Sequence, residues 1–380
     1  MKKVLFLQIK GNALGGIWSV NQALGEEFIK RGYQAEVLAI RNNHHGIEIN
    51  DTPLKITTIN SNDLWEIPHR RDIINALYKK EFFDILKKAL KGKKKLKQDF
   101  SKMKTFINQY KPDYIIASHY QTLFGIPKRY LSRTIFVQHS SFDYLLKDNN
   151  NIKTLKKFNK NLFKLCWLSK STMERAIEFG YKKNTYIYNP NKFSTKKTAD
   201  VCQNKKIVVI TRIHKEKQID LMIKIVNDVF QNQKYQDWSF EIYGTGTFNE
   251  ESKQILNDSS QIFYKGLTSN PMEVLLTSSL TLNTSLYEGF PLSVIEGFTC
   301  GVPVIAFNFG ESAHEEIIND YNGYVIEDSD INKFKEKLEY VLDNPSKLQE
   351  LSKNAKEFSQ QFTVEVIADK WELLFNERME

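Results

Sequence analysis

Apolar residues in this chain fall into short continuous runs, separated by longer segments in which they recur every three or four positions. Such runs suit strands buried on both faces, and the spaced segments suit the amphipathic helices that cover them. The runs predict strands at Val4–Ile9, Ala35–Ile40, Tyr114–Ser118, Thr134–Gln138, Leu165–Ser169 and Thr185–Tyr188. A second series follows at Lys206–Thr211, Ser239–Tyr243, Ile262–Tyr264, Leu280–Thr284, Val304–Phe307 and Gly323–Val325. Helical spacing predicts Val20–Arg31, Lys102–Tyr110, Lys170–Phe179, Gln218–Gln231, Glu250–Ser259, Asn270–Thr277, Pro291–Cys300 and Ile331–Leu342. The order implies an α/β protein with two doubly wound, Rossmann-like sheets. Residues 191–205 are polar and read as a linker between domains 1–190 and 206–362, and 380 residues exceed what one core comfortably holds. No internal repeat is evident.

The stretch TLNTSLYEGFPLSVIEGFTCGVPVI, residues 281–305, is the most specific in the chain. An apolar run is broken by Glu288-Gly289-Phe290, and Pro291 suits a first helical position because its missing N–H would be unpaired there. Gly301 suits the helix end, and Pro303 leads into the next strand. In such a strand–helix–strand step the helix N-terminus aims free N–H groups and the positive dipole end at the edge where phosphates bind. Glu288 and Glu296 lie eight residues apart, one in the loop and one about one and a half turns into the helix. They cannot pair on one helical face, so each is expected to accept hydrogen bonds from hydroxyls at different ends of one ligand. A lone helical glutamate is usually solvated, but Glu296 sits among Leu292, Val294, Ile295 and Phe298 and needs partners.

This segment resembles the E-x7-E signature of the retaining glycosyltransferases of family 4. Ile207–Arg212 followed by His214-Lys215-Glu216-Lys217 is similar to the family's motif in which Arg and Lys grip the donor diphosphate, here Arg212 and Lys217. Phe240–Gly246, with Gly244, resembles the next strand and glycine turn, and Phe263–Gly266 the strand before the base-contacting loop. Gly15-Gly16 resembles the N-terminal glycine loop. Two departures stand out: Phe309–Glu316 replaces the shorter Gly-Gly-x-x-Glu loop that contacts the sugar, and Thr211 precedes Arg212 where glycine is more frequent.

The resemblance implies the GT-B architecture, with two Rossmann-like domains facing across a cleft and a last helix, within about 363–380, crossing back to the first domain. It implies transfer of a sugar, with retention, from a nucleotide-diphosphate donor, a UDP-sugar first, to a hydroxyl acceptor. Glu296 would hold the ribose and Glu288 the sugar hydroxyls, with Phe290, Pro291, Leu292 and Ser293 around the donor. Arg212, Lys217 and the helix N-terminus would stabilise the departing diphosphate, so neither metal nor other cofactor is expected. Asp328-Ser329-Asp330 has the look of a metal-binding D-x-D but reads as a turn into a helix. His119 and His139 each end a strand; a single such histidine is ordinarily structural, whereas two at neighbouring strand ends suggest a role toward the donor or acceptor sugar.

Composition changes this picture in one respect. The hydrophobic fraction of 41% and charged fraction of 26% are ordinary, and three cysteines without metal-ligand spacing suit reduced thiols in the cytoplasm. Charge is unevenly spread: 37 Lys+Arg against 17 Asp+Glu through residue 200, and 17 against 28 thereafter, which is +20 and −11 for a net +9. The densest run, Lys87–Lys97, sets lysines against Phe82, Phe83, Leu86 and Leu90 at helical spacing. A basic amphipathic helix of this kind suits an anionic membrane surface, the alternative being a solvated face. Nucleic acid is disfavoured, since no reading module accompanies the lysines. The N-terminal segment is too short and interrupted for a signal peptide and reads as a buried strand. A cytoplasmic enzyme, peripheral on the inner face of the membrane, is expected. Its acceptor would be a lipid-linked glycan or cell-surface polysaccharide precursor, with a glycoprotein or wall polymer as the alternative. A nucleotide-sugar epimerase or a non-catalytic glycan-binding partner are the other classes, the latter disfavoured because Arg212, Lys217, Glu288 and Glu296 are all present.

Overall fold

The computed structural model describes residues 1–11, 15–41, 52–60 and 82–377. The first lobe carries β1 (Lys3–Lys10), β2 (Gln34–Arg41), β3 (Lys55–Asn60), β4 (Tyr114–Ala117), β5 (Thr134–Gln138), β6 (Lys164–Trp167) and β7 (Asn184–Tyr186). The second carries β8 (Lys206–Ile210), β9 (Ser239–Tyr243), β10 (Ile262–Gly266), β11 (Leu280–Asn283), β12 (Val304–Phe307) and β13 (Gly323–Ile326). The strand orders are β3-β2-β1-β4-β5-β6-β7 and β10-β9-β8-β11-β12-β13. Every pairing is parallel, as continuous apolar strands such as Val304–Phe307, buried at all four positions, require. In each sheet the order reverses once, between β1 and β4 and between β8 and β11. The crevice at such a reversal, outside the carboxyl ends of the strands, is where open α/β sheets bind ligands.

The predicted strands all form. The prediction lacked β3, an edge strand of sequence KITTIN whose two isoleucines are too few to make a buried run. It also lacked the helices Phe142–Leu146, which is only five residues long, Asn149–Asn159, which is polar and set by its cap, and Pro345–Phe358, which is polar outside a few buried positions. Asp148, for example, accepts from the backbone N–H groups of Asn150 at 2.8 Å and Asn151 at 3.4 Å. The basic run lies in a long helix, Phe82–Tyr110, on which Lys87, Lys94 and Lys97 are exposed and Leu90 is 60% exposed. The side chains of Phe82, Phe83 and Leu86 lie outside the described residues. Among the described residues no helix is long and apolar enough to cross a membrane. Asp330 caps the helix Ile331–Asp343, accepting from the Lys333 N–H at 3.1 Å, as its turn role anticipates.

The final helix, Val364–Asn376, returns to the first lobe. Ile367, Ala368, Trp371, Leu374 and Phe375 join Val4, Phe6 and Phe28 in one core. Phe375 stacks on Tyr114 with ring centroids 4.0 Å apart, and the Tyr114 hydroxyl donates to the Phe375 carbonyl at 2.9 Å. Arg31 secures the outer side through Asp369 at 2.6 Å and Glu372 at 2.7 Å. Residues 191–205 do more than span the lobes: Ala199 and Val201 are buried in the second core, and the Ala199 N–H donates to the Cys300 carbonyl at 2.8 Å. Phe375→Ala removes a fully buried ring and is expected to lower stability by about 3–5 kcal/mol, measured as a reduced urea midpoint with an unchanged slope.

Candidate active site

The loops that follow β8 and β11 meet because those strands are neighbours, Leu280 pairing with Ile207. Lys217, in the first loop, forms an ion pair with Glu288, in the second. Only 13% and 16% of these side chains are exposed, and Ser285 Oγ donates to the same Glu288 oxygen at 2.7 Å. Backbone bonds lock the loops together, Leu286 N–H to the Glu216 carbonyl at 2.8 Å and Glu288 N–H to the Phe309 carbonyl at 3.0 Å. Arg212 lies at the mouth, 73% exposed, its Nη2 3.7 Å from Glu216 Oε1, while His214 Nδ1 is 3.5 Å from the other oxygen of Glu216.

The same loops reach the first lobe. A Cβ built on Gly289 would stand 2.1 Å from the His139 carbonyl oxygen, so only glycine lets the Glu288 loop close on the end of β5. Together His139, Ser140, Ser141, Tyr144, Arg212, Glu216, Lys217, Tyr287, Glu288 and Gly289 line an interlobe cavity of about 220 Å³. The structure thus brings four predicted site residues, Arg212, Lys217, Glu288 and His139, into one space. His119 lies two residues past the end of the adjacent β4 and is not part of this lining. Its Nδ1 is buried without a hydrogen-bond partner among the described residues. Burial lowers the His119 imidazole to about 4, and burial with the nearby His119 lowers that of His139 to about 3, so both are neutral at physiological pH. His139 Nε2 lies 3.3 Å from Ser118 Oγ.

Pro291 stands one place earlier than expected: it is the N-cap, with φ −69° and ψ 116°, and the helix runs Leu292–Thr299. Phe290 turns away from the cleft. Its ring is buried and stacks on Tyr188 at 5.0 Å beside Phe362, because an apolar ring is worth more in the interlobe core than in a polar crevice. Leu292 packs 3.6 Å from the Cβ position of Gly16, which places the Gly15-Gly16 turn of the first lobe over this helix's start. Gly15 has φ 155°, a conformation that favours glycine. Glu296 and Ser293 line a separate small cavity with Thr281, Asn283 and β8. Burial, partly offset by Lys192, raises the Glu296 carboxyl to about 7. Gly244 is forced by close approach, since a Cβ there would lie 1.7 Å from the Thr211 carbonyl oxygen just before Arg212. Gly266, with φ 73°, accepts at its carbonyl from the Gly244 N–H at 2.8 Å.

Three residues escaped the sequence pattern. Tyr144 and Tyr287 meet across the cleft with ring centroids 5.0 Å apart, and Lys147 Nζ stands 4.3 Å from the Tyr287 ring. Glu316 is fully buried, and neither carboxyl oxygen has a hydrogen-bond partner among the described residues. Burial, with Glu288 and Glu315 nearby, raises its carboxyl well above the usual range, so it stays protonated. Adjacency to Glu288 was the available signal for Tyr287, and the place of Glu316 at the end of the 309–316 loop was the signal for it; nothing local marks Tyr144. A larger hollow of about 700 Å³, between residues 198–202 and 346–356, lies away from both strand reversals.

Residues 191–358 match the model of the family described as glycosyl transferases group 1. An uncharacterized glycosyltransferase of Haemophilus influenzae is 24% identical over 98% of this chain and 99% of its own length. The poly(ribitol-phosphate) alpha-N-acetylglucosaminyltransferase of Staphylococcus aureus is 33% identical over 46% of this chain, a match that spans 36% of that protein. In fold, a variant of S. aureus TarM, solved with fondaparinux, α-GlcNAc-glycerol and UDP, superposes with a TM-score of 0.74 at 17% identity, covering 99% of this chain and 100% of that one. These findings support a GT-B glycosyltransferase.

The raised Glu296 carboxyl has a direct consequence for stability. Its native state binds the proton more tightly than the unfolded state, so its contribution to stability is complete below about 4.5 and is lost as pH rises toward about 7. Glu296→Gln, which cannot ionise, is therefore expected to gain stability relative to the parent protein across that interval, read as thermal midpoints at pH 5 and pH 7.5. An equal difference at both pH values would contradict it.

Proposed function

We propose that this chain is a retaining glycosyltransferase of family 4 that moves a sugar from a UDP-sugar to a hydroxyl acceptor. The observation that carries the proposal is the cavity at the strand reversal, in which Arg212 and Lys217 from one loop face Glu288 from the next. Cleaving the bond between sugar and diphosphate gathers negative charge on the leaving phosphate. Two cations held in place before the reaction lower the energy of that state without reorganising. The Leu292–Thr299 helix start adds its dipole, and Gly15-Gly16 lets first-lobe backbone approach the same place.

Glu288 is suited to the sugar hydroxyls, since its carboxylate is held in place by Lys217 and Ser285. Glu296 is suited to the ribose hydroxyls. The acceptor hydroxyl is deprotonated by the departing phosphate, on the face the donor sugar occupied, and the neutral histidines offer ring nitrogens to sugar hydroxyls instead of charge. No metal is required, because the cationic pair supplies the charge that a divalent ion would. The acceptor is a lipid-linked glycan or a cell-surface polymer, with a glycoprotein as the other substrate class. Support comes from the polyol-phosphate substrate named for the S. aureus relative and from the +20 balance through residue 200. The exposed Lys87, Lys94 and Lys97 support docking of the enzyme against the anionic inner face of the membrane.

Arg212→Ala and Lys217→Ala are each expected to lower turnover at least about a hundredfold with the UDP-sugar that most raises the thermal midpoint. Near-parental rates in both would refute the diphosphate assignment. Glu296→Gln is expected chiefly to weaken UDP binding, and unchanged calorimetry would remove it from the ribose. NMR of donor incubated alone separates transfer from epimerisation, and lost turnover in chelator would overturn metal independence.

A further inference from the structure

The loop that departs from the family pattern, Phe309–Glu316, crosses to the first lobe. Glu315 places its carboxylate on the start of the first-lobe helix Lys170–Glu178. It accepts from the Lys170 N–H at 2.9 Å, the Ser171 N–H at 2.5 Å, the Ser171 hydroxyl, and the Tyr188 hydroxyl at 3.0 Å. Ser169 serves as this helix's own cap toward Thr172 at 3.1 Å, so the two N–H groups before Thr172 are satisfied from the opposite lobe. One turn on, Arg175 binds Glu311 of the loop and Asp143 of its own lobe, the latter at 2.6 Å, and these carboxylates hold its guanidinium above the usual value. The loop's other end touches the site: the Phe309 carbonyl accepts the Glu288 N–H at 3.0 Å, and the Gly310 Cβ position is 3.6 Å from Ser141 Cβ.

We propose that Glu315 and the Arg175–Glu311 pair form an interlobe clasp that positions the 309–312 loop against Glu288, so that sugar transfer requires the two lobes to be joined at this point. The inference rests on the transfer reading above for its kinetic consequence, but the clasp itself is a physical contact. Three charge-assisted bonds converge on one helix end, where dipole and carboxylate reinforce each other. UDP would sit on Arg212, Lys217 and Glu296, none of which the clasp touches. Loss of the clasp therefore acts on the reacting geometry and leaves nucleotide affinity unchanged.

The test compares the full-length parent with Glu315→Ala, Glu315→Gln and Arg175→Lys. Glu315→Ala is expected to speed amide hydrogen exchange at Lys170 and Ser171 at least about tenfold, and to lower kcat by a similar factor with UDP affinity unchanged. Glu315→Gln, which keeps an acceptor without the charge, falls between. Arg175→Lys, which loses the fork that reaches two carboxylates, lowers kcat with little change in KM. Unchanged exchange in Glu315→Ala overturns the clasp, and faster exchange with unchanged kcat overturns its positioning role. If the parent turns over no nucleotide sugar, the transfer reading fails, and the exchange at Lys170 and Ser171 still decides the contact.

Discussion

The return of the Val364–Asn376 helix to the first lobe is the constraint on which the site depends. That helix covers one face of the first sheet, and a cleft exists only if the lobes are held with their carboxyl edges opposed. Phe375 against Tyr114 and Phe28, with Phe290, Tyr188 and Phe362 continuing the core toward the second lobe, makes that arrangement part of the hydrophobic interior. Apolar burial sets the spacing of the lobes, and polar contacts then refine it: Asn189 donates to the Phe290 carbonyl at 3.0 Å and Asn191 to the Ile295 carbonyl at 3.1 Å.

Within the cleft the charges are few and assigned. Lys217 is matched by Glu288 and Arg212 by Glu216, while His119, His139 and Glu316 are kept neutral by burial. Lys217 and Glu288 are largely shielded from solvent, which strengthens their interactions, whereas Arg212 at the mouth is solvated. Glu296, near neutrality in both senses at about 7, is the group whose state a ligand would most readily change. The opposite balances of the two chain halves act at longer range, leaving the first half basic and the second acidic outside its cationic loop.

Much of this was legible in the residues. Continuous apolar runs marked the buried strands, because parallel strands covered on both faces leave no polar alternation to confuse the pattern. Arg212 and Lys217 could be placed because they follow the apolar run of β8, and Glu288 and Glu296 because the breaks at Gly289 and Pro291 set a loop and a helix after β11. β3 and the helix Asn149–Asn159 were faint because an edge strand and a cap-driven helix bury little.

Short-range order, namely the strand and helix sequence, the breaks at Gly289 and Pro291, and the cationic loop after β8, follows from local sterics and burial periodicity. Contacts made between residues distant along the chain do not. Phe290 entering the core, the meeting of Tyr144 with Tyr287, the isolation of Glu316 and the reach of Glu315 to Lys170 depend on how two lobes pack, and no spacing in the chain encodes that distance. Pairwise proximity across a cleft is a property of the folded assembly, decided by the aromatic core that joins the lobes.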